Sequence, residues 1–154
     1  MIRRTLLATL LSAALAAAAT PGIDRARVRR ANGGIETAVD RLEAAARSVA
    51  ADEAVPEGRP GARRVVEIEL PGGGWDEAEI DAARLDARSE RTLLFSYRIG
   101  GGKRRVRRIS TPVAITTDGD TPVELDGAGP HEIALSLHED ERRRIVVERI
   151  ASER

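Results

Sequence analysis

Two periods divide the chain: apolar residues recur every third or fourth position in its first part and every second position later on. Leu93, Phe95, Tyr97 and Ile99 alternate with their neighbours, as do Ile133, Leu135 and Leu137, and a period of two puts each set on one inward face of a strand. Further strands are predicted at Val65–Leu70, Lys103–Ser110, Val113–Ile115, Val123–Leu125 and Arg144–Ile150. Pro71-Gly72-Gly73-Gly74, Gly100-Gly101-Gly102, Asp118-Gly119-Asp120 and Glu139-Asp140-Glu141 supply the turns. Short strands joined mostly by tight turns describe an antiparallel sheet, a sandwich or a partial barrel. Asp76–Arg88 is ambiguous, helical by propensity but flanked by strands.

Before the strands, Asp24–Ala51 reads as an amphipathic helix. Ile35, Ala38, Val39, Leu42, Ala46 and Val49 form one apolar stripe, with Glu43 and Arg47 spaced for an i,i+4 pair on the wet face. Asn32-Gly33-Gly34 is expected to kink or split this helix, because glycine disfavours a helix interior. The stripe needs cover, either from the domain that follows or from helices of other subunits. Pro56-Glu57-Gly58-Arg59-Pro60-Gly61 is a stiff linker. The organisation is therefore 1–22 as signal peptide or membrane anchor, 23–55 as amphipathic helix, 56–62 as linker and 63–154 as β-rich domain.

The first of these segments places the protein. Arg3 and Arg4 precede an uncharged run from Thr5 to Ile23 that contains an A-x-A tripeptide at Ala17–Ala19, the three parts of a secretory signal. As a helix the run reaches about 28 Å, close to one hydrocarbon core. Cleavage and retention both fit, and either puts the following domain outside the cytoplasm, in the cell membrane or beyond it.

Composition narrows the remaining roles. Aromatic residues make up 2% of the chain, namely Phe95, Trp75 and Tyr97, so the core relies on Val, Ile and Leu. That scarcity counts against aromatic-lined ligand pockets and single-strand nucleic-acid platforms. The net charge is zero, which gives no general attraction to nucleic acid, and there is no cysteine for a disulfide or a thiolate metal site.

Candidate chemistry is thin. Ile99-Gly100-Gly101-Gly102-Lys103 lacks the spacing and hydroxyl of a phosphate loop and sits between strands, so it reads as a hairpin turn. Asp118-Gly119-Asp120, with Glu124 and Asp126, lacks the calcium-loop pattern and also reads as a turn. His131 and His138 lie seven residues apart, on opposite faces of one strand, and no nucleophile motif accompanies them. The sharpest feature is Lys103-Arg104-Arg105-Val106-Arg107-Arg108. As a strand it puts Arg105 and Arg107 on one face and Arg104 and Arg108 on the other, suited to an anionic partner or to guarding a sheet edge. No catalytic, cofactor or metal residue is assigned, and the chain is read as non-enzymatic.

The apolar start, Pro21 near its end, the continuing amphipathic helix and the C-terminal β-domain together resemble the pilin and pseudopilin plan. More narrowly, the Arg-rich start, the Ala-rich run and Gly61-Ala62-Arg63-Arg64-Val65-Val66 look like small haloarchaeal proteins encoded beside type IV pilus-like secretion ATPases. Two features depart from the pilin pattern: Arg3-Arg4-Thr5-Leu6 lacks the small residue of a prepilin peptidase site, and the early glutamate of pilins is missing. The resemblance implies an α+β protein with a membrane-resident helix and a small antiparallel sandwich, working as a structural or accessory part of a pilus-like or secretion assembly. Its protein partners would meet Ile35, Val39, Leu42 and Val49. The alternative is a secreted or tethered module that holds an anionic partner through Arg105 and Arg107.

Overall fold

The alternating strands need a second apolar layer, and they find it in each other and in the helix. The structure is a computed structural model; it describes residues 2–52, 62–139 and 142–150, with the side chains of the helix from Gly22 onwards. The elements in order are α1 (Ile2–Ala51), β1 (Arg63–Leu70), β2 (Ile80–Ser89), β3 (Thr92–Ile99), β4 (Arg105–Ser110), β5 (Ala114–Thr117), β6 (Val123–Leu125), β7 (Gly129–Glu139) and β8 (Arg143–Arg149). They form two four-stranded sheets, ordered β1-β7-β8-β5 and β4-β3-β2-β6, and the fold is α+β with a β-sandwich. Pairing is antiparallel except between β5 and β8, which run parallel. The expectation of purely antiparallel pairing fails there because the chain crosses to the other sheet between them.

Leu93, Phe95, Tyr97, Ile99, Ile133, Leu135 and Leu137 are all buried between the sheets, as their alternation requires. The ambiguous segment, Asp76–Arg88, supplies β2. Its Ala83, Leu85 and Ala87 register against Tyr97, Phe95 and Leu93 of β3, and β6 pairs on its other side. Flanking partners on both edges outweigh the helical propensity of its alanines.

The helix closes the sandwich. It contacts β1, β7 and β8 of one sheet and β4 and β3 of the other, so its stripe bridges the two sheets. Ala31, Ile35, Ala38, Val39, Leu42, Ala46 and Val49 join the same core as both sheets. Asn32-Gly33-Gly34 does not split α1, which runs unbroken through it. Each glycine costs about 1 kcal/mol in a helix interior. The fully buried Ile35 and Leu42 return about 1.5–3 kcal/mol apiece. Two side chains also brace this turn: Asn32 donates to Glu36 Oε1 at 2.9 Å, and Thr37 Oγ1 donates to the Gly33 carbonyl at 3.1 Å. Arg47 reaches the backbone carbonyl of Glu43 rather than its carboxylate.

At the C-terminal end of α1, Arg64 pairs with the Asp52 carboxylate at 3.1 Å and Arg143 donates to the Asp52 carbonyl. Cations at this end complement the helix dipole.

Candidate functional site

Ile35, Val39, Leu42 and Val49 are buried in the chain's own core and present no surface to another subunit. Their partner is the β-sandwich itself, not the helices of an assembly. Arg105 and Arg107 are likewise committed. Their face of β4 turns towards α1, where Arg105 donates to Asn32 Oδ1 at 3.0 Å and Arg107 pairs with Glu36. Asn32 Oδ1 also accepts the Tyr97 hydroxyl at 2.7 Å, so one helix side chain ties β3 and β4 to α1. The guarding of this edge falls to the helix, with the two arginines as exposed clamps worth at most ~1 kcal/mol each.

The remaining cations lie on the other face of the same sheet. Arg84 of β2, Ser96 and Arg98 of β3, Arg104 just before β4, and Glu124 of β6 line an open depression of about 210 Å³. Strand alternation turns these side chains away from the core that Ala83, Leu85, Phe95 and Tyr97 fill. Their positive charge is under-compensated. Arg104 donates to Ser96 Oγ at 2.8 Å, and Arg84 is 4.0 Å from both Asp86 and Glu124, too far for a good hydrogen bond. Arg84 Nε is buried without a partner, and Arg98 is exposed with no hydrogen bond or ion pair among the described residues. Three guanidiniums converging on a concavity with one carboxylate inside it can receive an oxyanion. Strand parity alone puts Arg104 on this face. The alternation of β3 likewise turns Arg98 outward, whereas Arg84 escapes a reading by sequence because the strand that carries it has helical propensity.

The other candidates resolve into structure. Gly100, Gly101 and Gly102 form the β3–β4 turn, and their amides donate to Glu79 O, Asp81 Oδ2 and Ile99 O, leaving none to cradle a phosphate. Positive φ at Gly100 and Gly101 explains the glycines there. Asp118–Asp120 is a 3₁₀ turn between sheets rather than a hairpin, with Asp120 Oδ1 accepting from Thr116 at 2.6 Å. Among the described residues no three His, Asp or Glu side chains are grouped to hold a metal. His131 faces the core and is only 4% exposed, whereas His138 lies on the opposite face of β7. Gly127 O lies 3.0 Å from His131 Nε2, and since a carbonyl only accepts, Nε2 carries the proton. Its Nδ1 is buried without a partner among the described residues.

A second cluster sits where the packed half of α1 begins. Arg27 donates to the carbonyls of Gly74 and Glu77 at 2.6 and 3.2 Å, and Arg30 pairs with Asp76 at 2.8 Å. Between these contacts the loop displays Trp75 to solvent.

Compared with known proteins, residues 1–150 match the family described as a domain of unknown function, DUF7311, and the chain belongs to that family. The match covers α1 and all eight strands, so helix and sandwich are one family unit. No curated protein and no solved structure matches the chain.

Proposed function

We propose that this DUF7311 protein is a non-enzymatic, membrane-tethered component of a pilus-like or secretion assembly, with its β-sandwich held outside the cytoplasm. The observation that carries the reading is the continuity of α1. One helix bears the uncharged run Thr5–Ile23 in its first half and the core stripe Ala31–Val49 in its second. An anchor joined to its domain without a hinge transmits position and force, which is what a scaffold component needs. The pilin-like order of apolar helix, amphipathic helix and β-domain supports the assembly role, and the likeness to small haloarchaeal proteins beside secretion ATPases supports its setting. Among the described residues no helix is long and apolar enough to cross a membrane. The side chains of the anchoring run lie outside the described residues as far as Pro21, and its apolar character is read from the sequence.

Intact-mass and peptide mapping of the mature protein, with membrane fractionation, tests this. The expected product begins at or before Thr5 and stays with the membranes. A soluble product beginning at Thr20 overturns the tether.

The second reading, a binding module for an anionic partner, is favoured by the under-compensated Arg84, Arg98 and Arg104. Under it, Arg84→Ser with Arg98→Ser abolishes a salt-sensitive affinity for inorganic polyphosphate measured by calorimetry, while Arg105→Ser with Arg107→Ser leaves that affinity in place. Removing each cation that pairs with the polymer flattens the salt dependence, because fewer counterions are exchanged on binding. Equal affinities and salt slopes in both double variants would remove this face from consideration.

A further inference from the structure

Trp75 is 89% exposed, although the chain has only three aromatic residues and buries the other two, Phe95 and Tyr97, against each other in the core. A tryptophan left in water forfeits the largest apolar surface any side chain can bury, so its position calls for an occupant.

Its loop is tied down rather than loose. The Gly74 carbonyl accepts from Arg27 at 2.6 Å and the Gly74 amide donates to Glu77 O at 3.0 Å. The Ala78 amide donates to the Arg27 carbonyl, and Asp76 is held by Arg30. These bonds fix Trp75 at one level of α1, beside Arg27 and Arg30. Ile23 lies one turn before Arg27 on the same helix face and is 53% exposed. The described residues leave four large hydrophobics exposed: Ile23, Val65, Trp75 and Val106. Val65 and Val106 sit singly on the sheets, whereas Ile23 and Trp75 share this end of the domain. Ile23 is also the last residue of the uncharged run, about 6 Å along the axis from Arg27. Arg25 and Arg29 are exposed on the opposite side of the helix, so cations ring α1 at the height of the tryptophan.

We infer that Trp75 is an interfacial anchor, which lies in the lipid headgroup layer of the membrane holding α1. Arg25 and Arg29 meet lipid phosphates at the same depth. The chemistry suits that layer and little else. Indole joins an apolar body to one N–H donor and collects at the membrane–water interface. Guanidinium pairs bidentately with phosphate. A protein groove would also take a tryptophan, but it would not require an arginine ring beside the end of an uncharged helical run. Trp75 thus sets how the sandwich leans on the bilayer. This inference rests on the membrane-tether reading.

Trp75 is the one tryptophan in the chain, so intrinsic emission reports on it alone. The full chain is reconstituted into phosphatidylcholine–phosphatidylglycerol vesicles and floated on a density gradient. Emission is then compared between ordinary lipids and lipids brominated near the headgroup or deep in the acyl chain. Shallow bromines are expected to cut emission to about half or less, and deep bromines to do much less, as an interfacial ring requires. If the chain floats but bromine has no effect and iodide quenches freely, the tether stands and the inference is overturned. A chain that floats with Trp75 shielded from both quenchers has it covered by protein, which overturns the inference in favour of a second copy. A chain that does not float refutes the tether and the inference with it.

Discussion

Leu42→Asp is expected to unfold the domain or lower its urea midpoint steeply, while Arg41→Asp leaves the midpoint nearly unchanged. The two residues are adjacent in sequence and opposite in environment: Leu42 is 1% exposed at mid-stripe, between both sheets, and Arg41 is exposed. Burying an unpaired carboxylate costs several kcal/mol, a large part of the ~5–15 kcal/mol that holds a domain together. A surface exchange usually stays within ~0.5 kcal/mol. Matching midpoints in the two variants would mean that the stripe is not covered in solution.

The second large effect follows from the way α1 closes the sandwich. A fragment of residues 62–154, made without the helix, should not fold as a monomer. Ile35, Val39, Leu42 and Val49 are buried against the sheets. At about 1.5–3 kcal/mol each they account for about 6–12 kcal/mol, comparable with the whole stability of a small domain. Their removal also leaves Val66, Ile68 and Ile109 without cover along the β1 and β4 edges, which exposes strands able to pair with other chains. Gel filtration and amide NMR dispersion would show aggregation or a collapsed state without fixed packing. A monomer with dispersed signals and a cooperative melt would show that the helix is an attachment and not a wall.

Much of this architecture is legible in the residues, and what is not has identifiable causes. Leu93 to Ile99 and Ile133 to Leu137 alternate so strictly that the inward face follows from parity alone. The helical stripe is equally plain, since Ile35, Leu42 and Val49 repeat at seven. β2 is hidden because Ala82, Ala83, Arg84, Leu85 and Ala87 are good helix formers, and only β3 and β6 on either side hold them extended. Propensity alone puts a break at Asn32-Gly33-Gly34, and the burial of Ala31 and Ile35 on each side overrides it. Asn32 shows this most directly: by type it is a helix breaker, and in place it is the acceptor for Tyr97 and Arg105. Parity divides the basic strand correctly into two faces. Which face stays available depends on the helix packed across it, and no local pattern carries that information.

The strand order has a consequence for how the molecule comes into being. β2, β3 and β4 follow one another and pair with sequence neighbours, so these three strands close only short loops, and β6 joins β2 later. β1 instead waits for β7, with Val66 opposite Ile133, and β5 waits for β8. Closing such distant pairs is entropically slow, and an N-terminal strand is made long before its partner. On a growing chain the β2–β3–β4 sheet can therefore assemble early, while the stripe on α1 stays half covered until β7 and β8 have emerged. Through that interval the nascent chain carries an open apolar surface, which is the kind of surface that makes a partly folded chain prone to aggregate.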